Sequence, residues 1–353
     1  MASSPLELTL ELSARERFEL VELRSRFSIE HAESLASYPR CLYWSAHTTA
    51  GFLDRSLVAR LGPERVGTYI DTLRQIFPEG AGYAHDRLER RRDLDAAQRA
   101  IEPRNGDSHL AFIAGGLRPC VTHPNRPGEV VCFVDLDGVN EGRPRRRQTR
   151  VIGFHREVVA AQTRLRVPLS GHPIDSINLK DRALGFSEEL AEFVAKADVG
   201  KGRLHIALGP GERDAALTIN EFETLLMKYD LAAVLKNPFR FMAEETRQAL
   251  ANPRAVPGKA LGYASYDLVR VLNTGLRSLG LRGSRLEQML AATLAVPVAR
   301  LFRVRRSISL LVAGTNGGPS APVEGVYQSP ILIQWQRAAR DVRELDVTLY
   351  RLE

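Results

Sequence analysis

The chain has 353 residues, 44% of them hydrophobic and 26% charged, with a formal net charge of +7 and three cysteines. That composition reads as an ordinary globular chain, long enough to bury two domain cores or one large one. Three cysteines (Cys41, Cys120 and Cys132) exclude a disulfide framework, and no run approaches the ~18 apolar residues of a membrane-spanning helix.

The first residues, "MASSPLELTLELSARERF", turn acidic at once and lack the apolar stretch of a secretory signal, which gives the expectation of a cytoplasmic protein. "LELTLEL" and "ERFELVEL" alternate as strands. "FSIEHAESLASY" follows as a helix with Ser28 as its N-cap. "CLYW" is a short apolar strand that delivers His47 into the small-residue turn Thr48-Thr49-Ala50-Gly51. "SLVARLGPERVGTYIDTLRQIF" has helical periodicity broken near Gly62-Pro63, and "RLERRRDLDAAQRAIEPRNGD" is a charged, solvated helix and loop. "HLAFIAGGL" is a further apolar segment, and "EVVCFVDLDG" and "RQTRVIGF" read as a closing pair of strands. Asp135 and Asp137 alternate along the first of these and are expected on a solvated face, although they could also meet a metal.

The pattern then starts again. "TRLRVPLSG" is a strand and "FSEELAEFVAKADVG" an amphipathic helix with Leu190, Phe193 and Val194 on one face. "RLHIALG" is a strand and "NEFETLLMKYDLAAVL" a helix. "YDLVRVLNTGLRSLGL" and "SRLEQMLAATL" read as helical or mixed, and "SISLLVAG", "ILIQWQRA" and "ELDVTLYRL" as strands. Four segments of the first half are answered in the same order in the second, which implies an internal duplication. The copies run over residues 1–157 and 158–353, the second lengthened by inserts near residues 237–261 and 302–326. The latter insert contains "GTNGGPSAPVEG", a flexible loop by composition.

His47-Thr48-Thr49-Ala50-Gly51, Tyr83-Ala84-His85, Ser108-His109-Leu110 and the closing Arg145-Arg146-Arg147 occur in the order of the pattern H-T-T-A-G, Y-x-H, H-L and R-x-R. In this the first copy resembles the YjbQ-like family, uncharacterised proteins to which weak thiamin-phosphate synthase activity is ascribed. The second copy resembles it in the places the first has lost, keeping Asn220-Glu221 and Trp335-Gln336. In turn it has Glu212, Ser265 and Arg285 where the histidines stand. Phe133-Val134 takes the place of Trp-Gln in the first copy.

The resemblance implies an α+β fold, two tandem YjbQ-like domains with packed, mainly antiparallel sheets and flanking helices, and an oligomer, commonly a trimer. It also implies that His47, His85 and His109 line one pocket. There they would hold zinc or serve as acid and base on a small phosphorylated or heterocyclic substrate; the spacing itself is not a metal motif, and each histidine is equally readable as a hydrogen-bonded, half-buried residue. Thr48, Thr49, Tyr83, Asn220, Glu221 and Trp335 are the candidate ligand contacts. Asn220-Glu221 reads equally as a helix N-cap with a first-turn acid, and Trp335 as core.

Because each copy has lost part of the pattern, a degenerate scaffold that binds a peptide stands slightly ahead of an enzyme. Such an accessory protein in a biosynthetic or peptide-tailoring pathway would capture the peptide on an exposed sheet edge, and the basic balance suits an acidic one. "RPRRRQTR" is expected as a solvated or ion-paired strand; charge alone is the only support for nucleic acid.

Overall fold

The structure, a computed structural model, describes residues 4–242, 305–315, 318–338 and 340–353. The helices expected at "YDLVRVLNTGLRSLGL" and "SRLEQMLAATL", with Ser265 and Arg285, lie outside the described residues.

In chain order, β1 (Leu6–Ser13) and β2 (Glu19–Glu22) are followed by α1 (Ile29–Leu35), β3 (Arg40–Ser45) and β4 (Ala50–Phe52). Then come α2 (Arg55–Leu61), α3 (Pro63–Ile76), α4 (Ala96–Ile101) and α5 (Gly106–Gly115). The first half ends with β5 (Cys120–Pro124), β6 (Cys132–Asp135), the short pair β7 (Val139–Asn140) and β8 (Arg143–Pro144), and β9 (Arg146–Phe154). The second half holds β10 (Glu157–Pro168), β11 (Asp175–Asn178), α6 (Phe186–Lys196), β12 (Lys201–Leu208) and β13 (Ala215–Asn220). A π-helical turn, Leu225–Asp230, leads into α7 (Leu231–Lys236). The strands β14 (Ser307–Thr315), β15 (Gly318–Val323), β16 (Ser329–Gln334) and β17 (Val342–Leu352) close the chain.

The local chemistry accounts for several boundaries. Ser28 starts α1 by accepting the His31 N–H at 3.1 Å. Gly62, at φ 79°, separates α2 from α3, with Pro63 as the first helical residue, where its missing N–H costs nothing. Leu190 and Val194 of α6 are buried and Phe193 packs beside them.

Besides the two-stranded pair β7-β8, the described strands form two sheets in each half, in the same order. In the first half they run β1-β9-β3-β5 and β2-β6-β4; in the second, β10-β17-β12-β14-β15 and β11-β16-β13. All of these pairings are antiparallel. The expected closing pair is therefore split: β6 joins β2 and β4, while β9 joins β1 and β3. The segment "GTNGGPSAPVEG" is also not a loop throughout. Gly318–Val323 is the edge strand β15, paired to β14, and an edge is where Pro319 and Pro322 are tolerated.

Compactness divides the chain into a sheet unit and a helical unit. One takes Met1–Arg55, Gly116–Phe222 and Val304–Glu353, and the other Ser56–Gly115 and Glu223–Arg303. Both include residues from either side of residue 157: the first holds the described sheets together with α1 and α6, and the described part of the second is helical.

In the sheet unit, the period of two on β3 serves two cores. Cys41 and Tyr43 join Leu10, Phe52, Phe133 and Val151 inside the first half's sandwich. Leu42 and Trp44 turn the other way, to Ile152 and Phe154 and to Leu311 and Leu352 of the second half. A separate cluster around Leu204, Ile206, Val312, Val347 and Leu349 fills the second half's sandwich. In the helical unit, α3 buries Val66, Tyr69, Ile70, Leu73 and Ile76, and Tyr69 donates to the Gly115 carbonyl that ends α5 at 2.8 Å.

Gly325 sits where the two halves meet in the sheet unit, and a Cβ there would run into the Ala46 backbone. Gly325→Ala is expected to cost about 1–3 kcal/mol in urea unfolding through overpacking. Gly171→Ala, with open space around the new methyl, is expected to leave the midpoint unchanged.

Candidate functional site

The small-residue turn after β3 lies against a close neighbour, the second half of the same chain. Asn220, at the end of β13 and fully buried, donates its side-chain amide to the Thr48 carbonyl at 2.9 Å. Gln328 donates to the carbonyls of Ser45 and His47, both at 2.9 Å. Its own amide oxygen accepts the Gly325 N–H at 2.9 Å. Buried carbonyls need donors, and these side chains supply them.

His47 accepts the Gln148 N–H on Nε2 at 3.1 Å. Burial, with the charges of Arg147 and Arg145, pushes its pKa from 6.5 down to about 3, so the ring stays neutral. Arg147, on β9 and itself buried, forks onto Asp135 at 2.7 and 2.8 Å and donates to the Asp137 carbonyl at 2.7 Å. Thr49 Oγ1 stands 3.5 Å from the same guanidinium. Asp137 is bonded by Arg145. The two aspartates expected on a solvated face are thus buried ion-pair partners: Asp135 ends β6, the central strand of its sheet, and Asp137 lies in the bend beyond it under Arg145. The basic stretch is ion-paired as expected at Arg145 and Arg147.

Strand register identifies the corresponding positions of the second half. Ala50 lies opposite Asp135, as Ala215 lies opposite Gln334. Glu212 therefore answers His47, three residues earlier. Leu12 opposite Arg147 is matched by Val167 opposite Arg343. By the same register Trp335 and Gln336 answer Leu136 and Asp137, three residues beyond the Phe133-Val134 that the motif sets against them.

Arg343 is buried and donates to Gln334 Oε1 at 3.3 Å, Glu212 Oε2 at 2.8 Å and the Gln336 carbonyl at 3.1 Å. A neutral glutamine thus stands where the first half has Asp135, and the counter-charge comes from the turn. Beside it opens a cleft of about 600 Å³, lined by the turn Gly211–Asp214 and by residues around 337–344. Arg166, Arg213, Arg337 and Arg340 also face it. Arg166 lies 3.6 Å from Glu344 and Arg337 2.9 Å from Asp341. Among the described residues Arg213 and Arg340 have no ion-pair partner. Trp335 is half-buried and does not line the cleft, its Nε1–H donating to Asp214 at 3.2 Å. Glu221 is half-buried, and its N–H donates to the Asn220 side chain.

The helical unit holds the other two histidines. His85 and His109 are both buried, with ring centroids 5.1 Å apart. His85 Nδ1 stands 3.1 Å from Glu223 and 3.2 Å from Arg91, and Nε2 3.2 Å from Asn105 Oδ1, so either tautomer finds partners. The backbone N–H groups of Ala84 and His85 donate to Asp230 at 2.8 and 2.9 Å. Burial pushes the Asp230 carboxyl up to about 6 against those bonds. Burial acts the same way on Glu223, but hydrogen bonds from His85 and from the Leu225 and Leu226 N–H groups, with the charge of Arg91, hold it below the usual range. Tyr83 is buried, its hydroxyl donating to the Pro78 carbonyl at 2.9 Å.

His47 therefore belongs to one compact unit, and His85 and His109 to the other. Among the described residues no group of three His, Cys, Asp or Glu side chains stands in a metal-holding arrangement. Both His85 nitrogens are engaged, and His47 lies beside two arginines. Within the helical unit, His85 has no free ring nitrogen to offer a zinc ion as it stands.

The sequence reading missed Gln328, Glu223 and Asp230. Glu223 carried a signal: it is the second acid of "NEFE", and it caps Leu225 and Leu226 at 2.7 and 2.8 Å, the role the capping reading gave to Asn220. Gln328 and Asp230 carried none.

No protein-family model matches the chain, and no curated protein does. Solved structures do. A YbjQ-like protein of unknown function from Sulfolobus solfataricus P2 is 14% identical, over 56% of this chain and 99% of its own, with a TM-score of 0.27. A hypothetical protein from Aeropyrum pernix K1 is 15% identical over 55% and 99%, at 0.27. An uncharacterized conserved protein of the yjbq/upf0047 family from Clostridium acetobutylicum is 15% identical over 41% and 97%, at 0.25. These are likenesses of fold alone. Among the described residues no helix is long and apolar enough to cross a membrane.

The depressed His47 pKa fixes a pH dependence. Between about 3 and 6.5 the unfolded chain binds the proton that the folded chain refuses, so this residue costs stability progressively as pH falls through that window and nothing above it. His47→Gln keeps an acceptor for Gln148. Its urea midpoint is expected to fall less than the parent's between pH 6.5 and 4; parallel curves would contradict this.

Proposed function

We propose that the chain is a ligand-binding protein built from two diverged tandem YjbQ-like copies, and that the second copy's arginine-lined cleft takes an acidic peptide. The recurrence of strand order in the two halves supports the duplication. The cleft carries the functional reading. Its volume, about 600 Å³, suits a few residues of a ligand. Arg343 is balanced by Glu212 at 2.8 Å, while Arg213 and Arg340 face the same space without a counter-ion among the described residues. Guanidinium groups hold carboxylates by paired N–H donors, so two such groups in one cleft suit a ligand bearing two carboxylates.

The enzyme reading, with His47, His85 and His109 acting on a small phosphorylated or heterocyclic substrate, has the closeness of His85 and His109 in its favour. Against it stands their burial: at 0% and 1% exposure neither ring reaches a substrate arriving from solvent.

The test is fluorescence anisotropy with a fluorescein-labelled hexaglutamate probe. Loss of charged hydrogen bonds worth about 1.5–3 kcal/mol each predicts at least a tenfold weaker affinity for Arg213→Ala/Arg340→Ala. Arg146→Ala, an exposed arginine of β9, is expected to bind like the parent. Equal affinity of the double variant, or a single-stranded oligonucleotide bound as tightly as the peptide, would contradict the reading.

A further inference from the structure

The cleft opens at one end of a strand whose outer side carries no partner among the described residues. In its sheet β10 is the terminal strand and pairs only with β17. The register is interrupted between Val159 and Ala161 and then runs unbroken to Pro168. The bulge and the proline therefore bound a regular edge at residues 161–167, where alternate N–H and C=O groups point away from β17. Natural sheets blunt such edges with charge, bulges and proline; this one keeps its middle open.

The side chains along it alternate. Leu165 and Val167 turn into the core, while Gln162, Arg164 and Arg166 are exposed. Arg164 reaches Asp346 at 2.6 Å, and Arg166 also lines the cleft. The corresponding edge strand of the first half, β1, exposes Thr9, Glu11 and Ser13 instead. The edge strand of the second half thus carries two cations, Arg164 also lying 3.3 Å and Arg166 3.6 Å from Glu344, and that of the first half an anion.

We infer that the ligand binds as an added β-strand on the free edge of β10, with acidic residues at every second position facing Arg164 and Arg166 and its end entering the cleft. An added strand pairs its own N–H and C=O groups with those of β10, and its side chains must follow the same period of two. Carboxylates therefore fall on the arginine face and apolar residues over Leu165 and Val167. The ligand class narrows from any acidic peptide to one of alternating acidic and apolar residues in extended form. This rests on the cleft reading above, and the experiment separates the two.

Four synthetic hexapeptides serve as probes in calorimetric titration of the full chain: alternating Glu-Val, the same composition with its glutamates consecutive, and the alternating peptide N-methylated at every second amide in each of the two phases. The expected result is binding of the alternating peptide at least tenfold tighter than the consecutive one, with at least tenfold loss for one N-methylated phase and little for the other. Equal affinities for all four, lost together in Arg213→Ala/Arg340→Ala, would overturn strand addition while leaving the cleft reading standing. No binding of any probe would overturn both. A dimer in light scattering that Arg164→Glu/Arg166→Glu dissolves would also overturn strand addition, by giving the edge to a second copy of the chain.

Discussion

The arrangement depends on a handful of amide hydrogen bonds at the turn after β3. Three carbonyls at the end of β3 and in the turn after it find their donors there; Asn220 and Gln328 satisfy those of Ser45, His47 and Thr48 from the second half. An unmet carbonyl in such a place costs far more than a met one contributes, so the pairing of turn and amides is close to obligatory. It explains why residue 325 is a glycine: its loop must come against Ala46. The helical unit repeats the principle, with Asp230 accepting the N–H groups of Ala84 and His85.

The same two positions then diverge in charge. Arg147 meets a carboxylate from the other sheet of its half and its site closes on itself, with a histidine kept neutral beside it. Arg343 meets a glutamine there and draws its counter-charge from Glu212. In the second turn the carbonyls are met by guanidinium groups instead of amides, Arg306 donating to Gly209 and Glu212 and Arg343 to Arg213, and its rim is cationic. On the proposed reading, one copy has become the seam and the other the receptor, which is why neither retains the whole motif.

Much of this order was legible beforehand. The alternation in "LELTLEL" and "RLHIALG", the cap at Ser28 and the break at Gly62-Pro63 follow from local chemistry, and local chemistry is what sequence patterns record. The recurrence of the two halves was visible in the order of "FSIEHAESLASY" and "FSEELAEFVAK". What could not be read was which strand joins which sheet. β6 and β9 are close in the chain yet belong to different sheets, because a core shared by β2, β4 and β6 outweighs the short connection. The burial of Asp135 and Asp137 was equally hidden, since an acidic alternation looks the same on a wet face and opposite a buried arginine. The grouping of the helical segments apart from the sheets, and the roles of Gln328 and Asp230, depend on contacts more than a hundred residues apart.

Backbone hydrogen exchange with and without a saturating alternating Glu-Val peptide addresses the central claim most directly, because it reports where the ligand rests rather than how tightly. The account predicts slowed exchange along residues 161–167 and 211–214 and around 337–344, with residues 46–52 and 83–109 unchanged. Protection confined to residues 46–52 or 83–109, with the β10 edge exchanging as before, would contradict it.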